Sequence, residues 1–250
     1  MKRLIFLTLL VSAGIQMQGQ VRFGIKGGMN VSGFDMSSMQ GVVIDFSNRF
    51  AFHAGGFAEI PVGDFFSIQP ELLFSSKGAR CKISEIYKFP AVTGYDEIQI
   101  MKKTYAPCYI ELPVYMKAGF KVGSGKFIAG AGPYIAYGVG GKMKAEMKLT
   151  KPYLPDVTYE IGKKKIDVFE KNKLKIKDPT NPSYEYVILF DKAPLKRFDF
   201  GLAGFAGYEL NWGFFVTVGF QKGLCNIDNF DDEGDKLKNK TFSLSVGYKL

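Results

Sequence analysis

Between residues 21 and 250 the chain alternates apolar with polar or small residues at a period of two, in eight stretches separated by breaks. Successive side chains of a β-strand point to opposite faces, so each stretch reads as a strand with one greasy face. In 21–34, Val21, Phe23, Ile25, Met29 and Val31 oppose Arg22, Lys26, Asn30 and Ser32. In 49–61, Phe50, Phe52, Ala54, Ala58 and Ile60 oppose His53 and Glu59. In 65–77, Phe66, Ile68, Leu72 and Phe74 oppose Ser67, Gln69, Glu71, Ser75 and Lys77; in 104–120, Ile110, Leu112, Val114, Met116 and Phe120 oppose Tyr109, Glu111, Tyr115 and Lys117. The stretch 126–141 is Gly-rich and weaker, with Phe127, Ile135, Tyr137 and Val139 on its apolar side. The clearest pair is 197–225. Phe198, Phe200, Leu202, Ala206 and Tyr208 oppose Asp199, Gly201, Ala203, Gly207 and Glu209, with Phe205 as a large exception on the small face. After a turn at Asn211, Trp212 and Gly213, Phe214, Val216, Val218 and Phe220 oppose Thr217, Gly219, Gln221 and Gly223. The last stretch, 240–250, sets Phe242, Leu244, Val246, Tyr248 and Leu250 against Thr241, Ser243, Ser245, Gly247 and Lys249.

The connections alternate strictly: long (35–48), short (62–64), long (78–103), short (121–125), long (142–196), short (211–213), long (226–239). Each strand is roughly ten residues or a little more, the length with which a tilted strand crosses a bilayer. The expected fold is therefore all-β: an eight-stranded antiparallel up-and-down transmembrane β-barrel with short periplasmic turns and long extracellular loops. Mean hydropathy near zero (−0.01) excludes a helical membrane protein, whereas a membrane barrel conceals its apolar character in alternation. Aromatic residues near both ends of the strands would form interfacial girdles.

On this reading Arg22, Lys26, His53, Glu59, Gln69, Glu71, Lys77, Glu111, Lys117, Asp199, Glu209 and Gln221 point into the barrel. An unpaired buried charge is costly, so these residues are expected to pair in a hydrogen-bonded network. Eight strands enclose only enough space for side chains to fill, which predicts a plugged scaffold with no open channel.

The first twenty residues stand apart from this pattern. Lys2 and Arg3, an apolar run over 4–11 and small residues up to Gly19 read as a secretory signal peptide, 1–19, leaving a barrel domain of 20–250. An exported chain in an outer membrane sets nucleic acid aside as a partner despite a net charge of +9. Much of that charge lies in 142–196, with thirteen Lys against eight Asp or Glu. Alternation in 157–161 and 184–190 predicts strands extending above the membrane there. Two readings of this segment stay open: a cationic lip over lipopolysaccharide phosphates or acidic glycans, and a solvated loop kept soluble by its lysines. The acidic run Asp228, Asp231, Asp232, Glu233 and Asp235 lacks the ligand spacing of a calcium loop. Cys81 and Cys108 flank one loop and form a candidate disulfide in an oxidising compartment, with Cys225 left over; buried or lipid-facing thiols are the other reading.

Catalytic chemistry has little to stand on. There is one histidine, His53, with no obvious Ser partner in sequence, no Gly-x-Ser-x-Gly elbow, no metal-ligand spacing and no cofactor-binding loop. The expectation is a non-enzymatic barrel without cofactors. Its partners would be outer-membrane lipid, lipopolysaccharide and cell-surface or secretion-complex proteins, with a barrel admitting a small solute as the alternative.

Four segments carry a family likeness: IQPELLFSSKGA (68–79), YIELPVYMKAGF (109–120), GAGPYIAYGVGGK (130–142) and FDFGLAGFAGYEL (198–210). In content and order they resemble the outer-membrane β-barrel family of Bacteroidetes, porin-like or PorT-like. The resemblance implies an eight-stranded barrel in a Gram-negative outer membrane and, for the PorT type, an association with protein secretion.

Overall fold

The computed structural model describes residues 20–37, 45–91, 94–151, 154–181, 183–229 and 236–250. The expected signal peptide and the acidic residues Asp231, Asp232, Glu233 and Asp235 lie outside the described residues. The strands are β1 (Arg22–Ser37), β2 (Asp45–Pro61), β3 (Phe66–Ser76), β4 (Ala79–Ala91), β5 (Gly94–Val122), β6 (Gly125–Lys151), β7 (Leu154–Asp167), β8 (Asn172–Lys177), β9 (Glu185–Phe190), β10 (Phe198–Leu210), β11 (Phe214–Gly223) and β12 (Lys236–Lys249).

Eight of these close into a ring. Antiparallel ladders run β1–β2, β2–β3, β3–β5, β5–β6, β6–β10, β10–β11 and β11–β12, and β12 returns to β1 with Gly24 opposite Lys249. Closure leaves the ring without a free edge, which a lipid-facing sheet requires. Within the ring the outward residues are apolar. Phe23, Ile25, Met29, Leu112, Met116, Ile135, Leu202, Val218, Leu244 and Val246 are all exposed and together make a continuous apolar belt.

Two of the expected long loops are largely strand. Segment 78–103 contains β4 and the first part of β5, paired from Arg80↔Thr104 to Ala91↔Gly94. Segment 142–196 continues β6 to Lys151, returns along it as β7, and then forms the β8–β9 hairpin. The alternation at 157–161 and 184–190 thus belongs to β7 and β9. The sheet β4–β5–β6–β7 rises beyond the apolar belt, and β8–β9 packs on its inner face. Ile98, Ile100, Met143, Met147 and Leu149 of the sheet meet Leu174, Ile176, Tyr186 and Ile188 of the hairpin in one apolar core.

The inner wall of the belt leaves room for large rings by using glycine opposite them. A Cβ on Gly24 would lie 2.2 Å from the Phe57 ring, and one on Gly247 would lie 2.2 Å from the Phe215 ring. These two rings meet edge to face at 5.6 Å inside the barrel. Phe205, the large residue on a small-residue face, also points inward and meets Tyr115 edge to face at 4.9 Å.

Candidate functional site

The lumen is organised in tiers. At the turn end, Lys117 Nζ lies 2.5 Å from Glu59 and 3.2 Å from Glu209, and Lys249 contacts the same two carboxylates. Higher, Lys26 Nζ lies 2.7 Å from Glu71, whose other oxygen accepts from Gln69 at 2.7 Å. Higher again, Lys77 Nζ is 2.6 Å from Glu111 and 4.6 Å from the centre of the Tyr134 ring. Tyr134 and Asn239 donate to Asp199 at 3.1 and 2.8 Å, and Gln221 reaches Glu111 at 3.4 Å. Every one of these charges sits opposite a partner, which is what allows it to remain inside the barrel.

Period-two alternation places most of the anticipated residues here: Lys26, His53, Glu59, Gln69, Glu71, Lys77, Glu111, Lys117, Asp199, Glu209 and Gln221 all face the lumen. Arg22 lies on the same face, directly opposite Glu59 in the β1–β2 ladder, but at the open end of the lumen. It is exposed at the rim, beside a mouth of about 720 Å³ whose floor is the Glu59–Lys117–Glu209–Lys249 cluster. As the first residue of β1 it sits where the ring opens to solvent. Lys249 was legible on the polar face of the last strand and belongs to the network as fully as Lys117. Tyr109 and Tyr115 were legible too, beside Glu111 and Lys117 on the polar face of their strand, whereas Tyr134, in the Gly-rich stretch, gave no such signal because a tyrosine fits either face of a membrane strand.

The Cys81–Cys108 bridge is a correction: both residues are thiols. Cys81 lies opposite Lys103 in the β4–β5 ladder, and Cys108 is five residues further along β5, roughly 16 Å at strand spacing. A disulfide needs Cα atoms within about 7 Å.

His53 does have a serine. Its Nε2 lies 2.9 Å from Ser245 Oγ and its Nδ1 lies 2.8 Å from Asn30 Oδ1, while Asn30 Nδ2 donates to the Ser76 carbonyl at 3.1 Å. Because the Asn30 amide nitrogen is engaged elsewhere, Asn30 accepts from Nδ1–H, and Nε2 accepts the Ser245 hydroxyl. The connectivity is that of a nucleophile, a base and an orienting group. Its surroundings are not: His53 and Ser245 are buried, and the adjoining void, about 20 Å³, has room for one water and not for an acyl group. A neighbouring void along the lumen is smaller, about 10 Å³. Among the described residues no cluster of three or more metal-ligating side chains occurs.

A family described as outer membrane protein beta-barrel domain matches residues 16–229. The chain belongs to this family. It is an outer-membrane β-barrel protein, and the apolar belt is its lipid-facing surface, with short turns in the periplasm and the β4–β9 head outside the cell. Among solved structures the barrel is similar to the attachment invasion locus protein Ail of Yersinia pestis, solved in complex with the heparin analogue sucrose octasulfate (10% identity, 93% of this chain, 100% of that chain, TM-score 0.36). It is similar also to OprG of Pseudomonas aeruginosa (9% identity, 92% and 95% covered, TM-score 0.42) and to the outer-membrane protease OmpT of Escherichia coli (11% identity, 92% and 97% covered, TM-score 0.34). Among curated proteins nothing matches.

The head of this outer-membrane barrel is latched by a buried polar group. Lys151 Nζ lies 2.5 Å from Asp178, and the Tyr186 hydroxyl sits 2.6 Å from Asp96 and 3.0 Å from Asp178. The latch ties the β8–β9 hairpin to β5 and β6. Burial alone would oppose ionisation of Asp178. Hydrogen bonds from Lys151, from the Thr180 backbone and hydroxyl, and from Tyr186 outweigh it and hold that carboxyl well below the usual range. Burial, then hydrogen bonding to Asp96 and Asp178, pushes the Tyr186 phenol far above its ordinary value.

Proposed function

We propose that this protein is a closed, non-enzymatic interaction barrel. It holds a rigid head at the cell surface for contact with lipopolysaccharide and with cell-surface or secretion-complex proteins, as a PorT-like member of the Bacteroidetes barrels. In this reading residues 1–19 are removed on export and 20–250 form the working domain. The observation that carries it is the filled lumen. Beyond the mouth at the turn end, the voids between paired charges are about 20 and 10 Å³ and an apolar core is seated above them, so nothing larger than water passes through and the head is the surface the barrel presents outside the cell. The sealed Ser245–His53–Asn30 arrangement is, on the same grounds, a hydrogen-bonded strut.

Conductance across a planar bilayer tests the reading. The refolded protein is expected to give no steps above baseline under applied voltage. Steady open steps would overturn it in favour of a barrel that passes small solutes.

A further inference from the structure

The geometry points to a binding site for a phosphorylated saccharide headgroup, that of the glycolipid in the surrounding outer leaflet, on the outward face of β4–β5–β6–β7. This deepens, and rests on, the lipopolysaccharide contact proposed above.

Two rows of cations cross this face. One runs Arg80, Thr104, Lys144, Lys165 in register over the four strands, and the next runs Lys82, Lys102, Glu146, Lys163. Within them Lys82 lies directly opposite Lys102, and Lys144 directly opposite Lys165. Like charges facing each other across a ladder destabilise the sheet, and nothing in the fold requires either pair. The acids in these rows are Glu146, in an ion pair with Lys163 at 3.2 Å, and Asp45, opposite Lys82 in the β2 register. The grid is about 14 Å wide at strand spacing, a fit for a short run of sugars carrying more than one phosphate.

Its height selects the occupant. The last lipid-facing apolar residue of β6 is Val139, 49% exposed. Lys144 follows five residues later, roughly 16 Å along a tilted strand. That puts the grid above the acyl chains, level with the charged sugars of an outer-leaflet glycolipid. Held on paired strands, the lysine stems start from fixed positions, so less conformational entropy is lost on binding than from a loop.

The test is binding of purified lipopolysaccharide to the full-length refolded barrel in neutral detergent, against the same lipopolysaccharide after dephosphorylation. The site variant is Lys102→Gln/Lys144→Gln/Lys165→Gln. The control, Lys173→Gln/Lys175→Gln/Lys177→Gln, removes equal charge from exposed positions on β8. Expected is a loss of tenfold or more in the site variant and in wild type with dephosphorylated lipid, with the control within twofold of wild type. Heat-shifted gel mobility establishes that each variant is folded, and in lipid-free detergent the site variant should melt no lower than wild type once its like-charge pairs are gone. Equal losses in the site variant and the control would overturn the site in favour of diffuse charge. Wild-type binding retained by the site variant would overturn the site alone and leave the broader contact standing. No binding by wild type would overturn both.

Discussion

Strands β5 and β6 each pass through two environments, and their interiors invert between them. Inside the belt, β5 turns Glu111 and Lys117 to the lumen and Ile110, Leu112 and Met116 to lipid. In the head the same strand turns Ile98 and Ile100 inward and Glu97 and Gln99 outward. β6 does likewise, with Tyr134 inside and Ile135 outside below, and Met143, Met147 and Leu149 inside and Lys142, Lys144 and Lys148 outside above. The backbone is one continuous ladder, so strand propensity does not set the inversion. The surrounding solvent does: lipid accepts apolar side chains without penalty, whereas water drives them together. The switch requires bulges, since each inserts a residue and reverses which parity faces inward. They lie between Ile100 and Lys102 and between Cys108 and Tyr109 of the β5–β6 ladder. Next to the second, Gly141 has φ +142°, and a Cβ there would lie 2.5 Å from the Ala106 carbonyl oxygen. Without the extra residue Lys142 and Lys144 would point into the core.

The comparison makes its largest demand on charge pairs. Glu111→Ala leaves Lys77 fully buried with only Asp199, 4.0 Å away, as counter-charge, at an expected cost of about 3 kcal/mol, the low end for a broken buried pair. Glu97→Ala in the head breaks the Lys88–Glu97 pair, 3.4 Å long and well exposed, and should cost about 0–1 kcal/mol. Urea titration of the heat-shifted folded band measures both, and bilayer conductance should remain closed in each. Equal costs for the two would mean that the lumen is hydrated like the surface.

Truncation of apolar residues should behave in the opposite way. Leu149, fully buried in the head, is expected to lose about 2–5 kcal/mol on replacement by Ala, seen as faster hydrogen exchange across β8 and β9. Leu244→Ala, at a position 52% exposed on the belt, trades contact with lipid for contact with lipid and should change the urea midpoint far less. If Leu244→Ala proved the costlier, the belt would be packing against something more ordered than lipid.

These cases also mark how far the sequence could be read. The ring of eight and its lumen were legible because each belt strand carries one unbroken alternation; Lys26, Glu71, Lys77 and Glu111 could be assigned a face by counting. The head was not. Its alternation puts apolar side chains inward, as in a soluble protein, so residues 79–103 had no lipid-facing signature and read as loop. The bulges hide the change of parity from any period-two count. Pairings such as Ser245 with His53, or Lys249 with Glu209, join residues far apart in the chain, and only closure of the ring brings β12 beside β1 and β11.

The smallest expected effect concerns pH, and it separates head from belt. Asp178 has a lower pKa folded than unfolded, so its contribution is complete above the ordinary carboxylate value of about 4 and is lost as pH falls below it. Tyr186 has a higher pKa folded than unfolded, so its contribution is complete below about pH 10 and is lost as pH rises beyond. The β8–β9 hairpin should therefore be best protected between those limits and loosen on either side. Limited proteolysis across pH reads this directly, with gel mobility of the barrel body as internal reference. Asp178→Asn should flatten the acid side and Tyr186→Phe the alkaline side. A wild-type acid limb in Asp178→Asn would show that another group holds the hairpin down, and that the latch joining the two regions lies elsewhere.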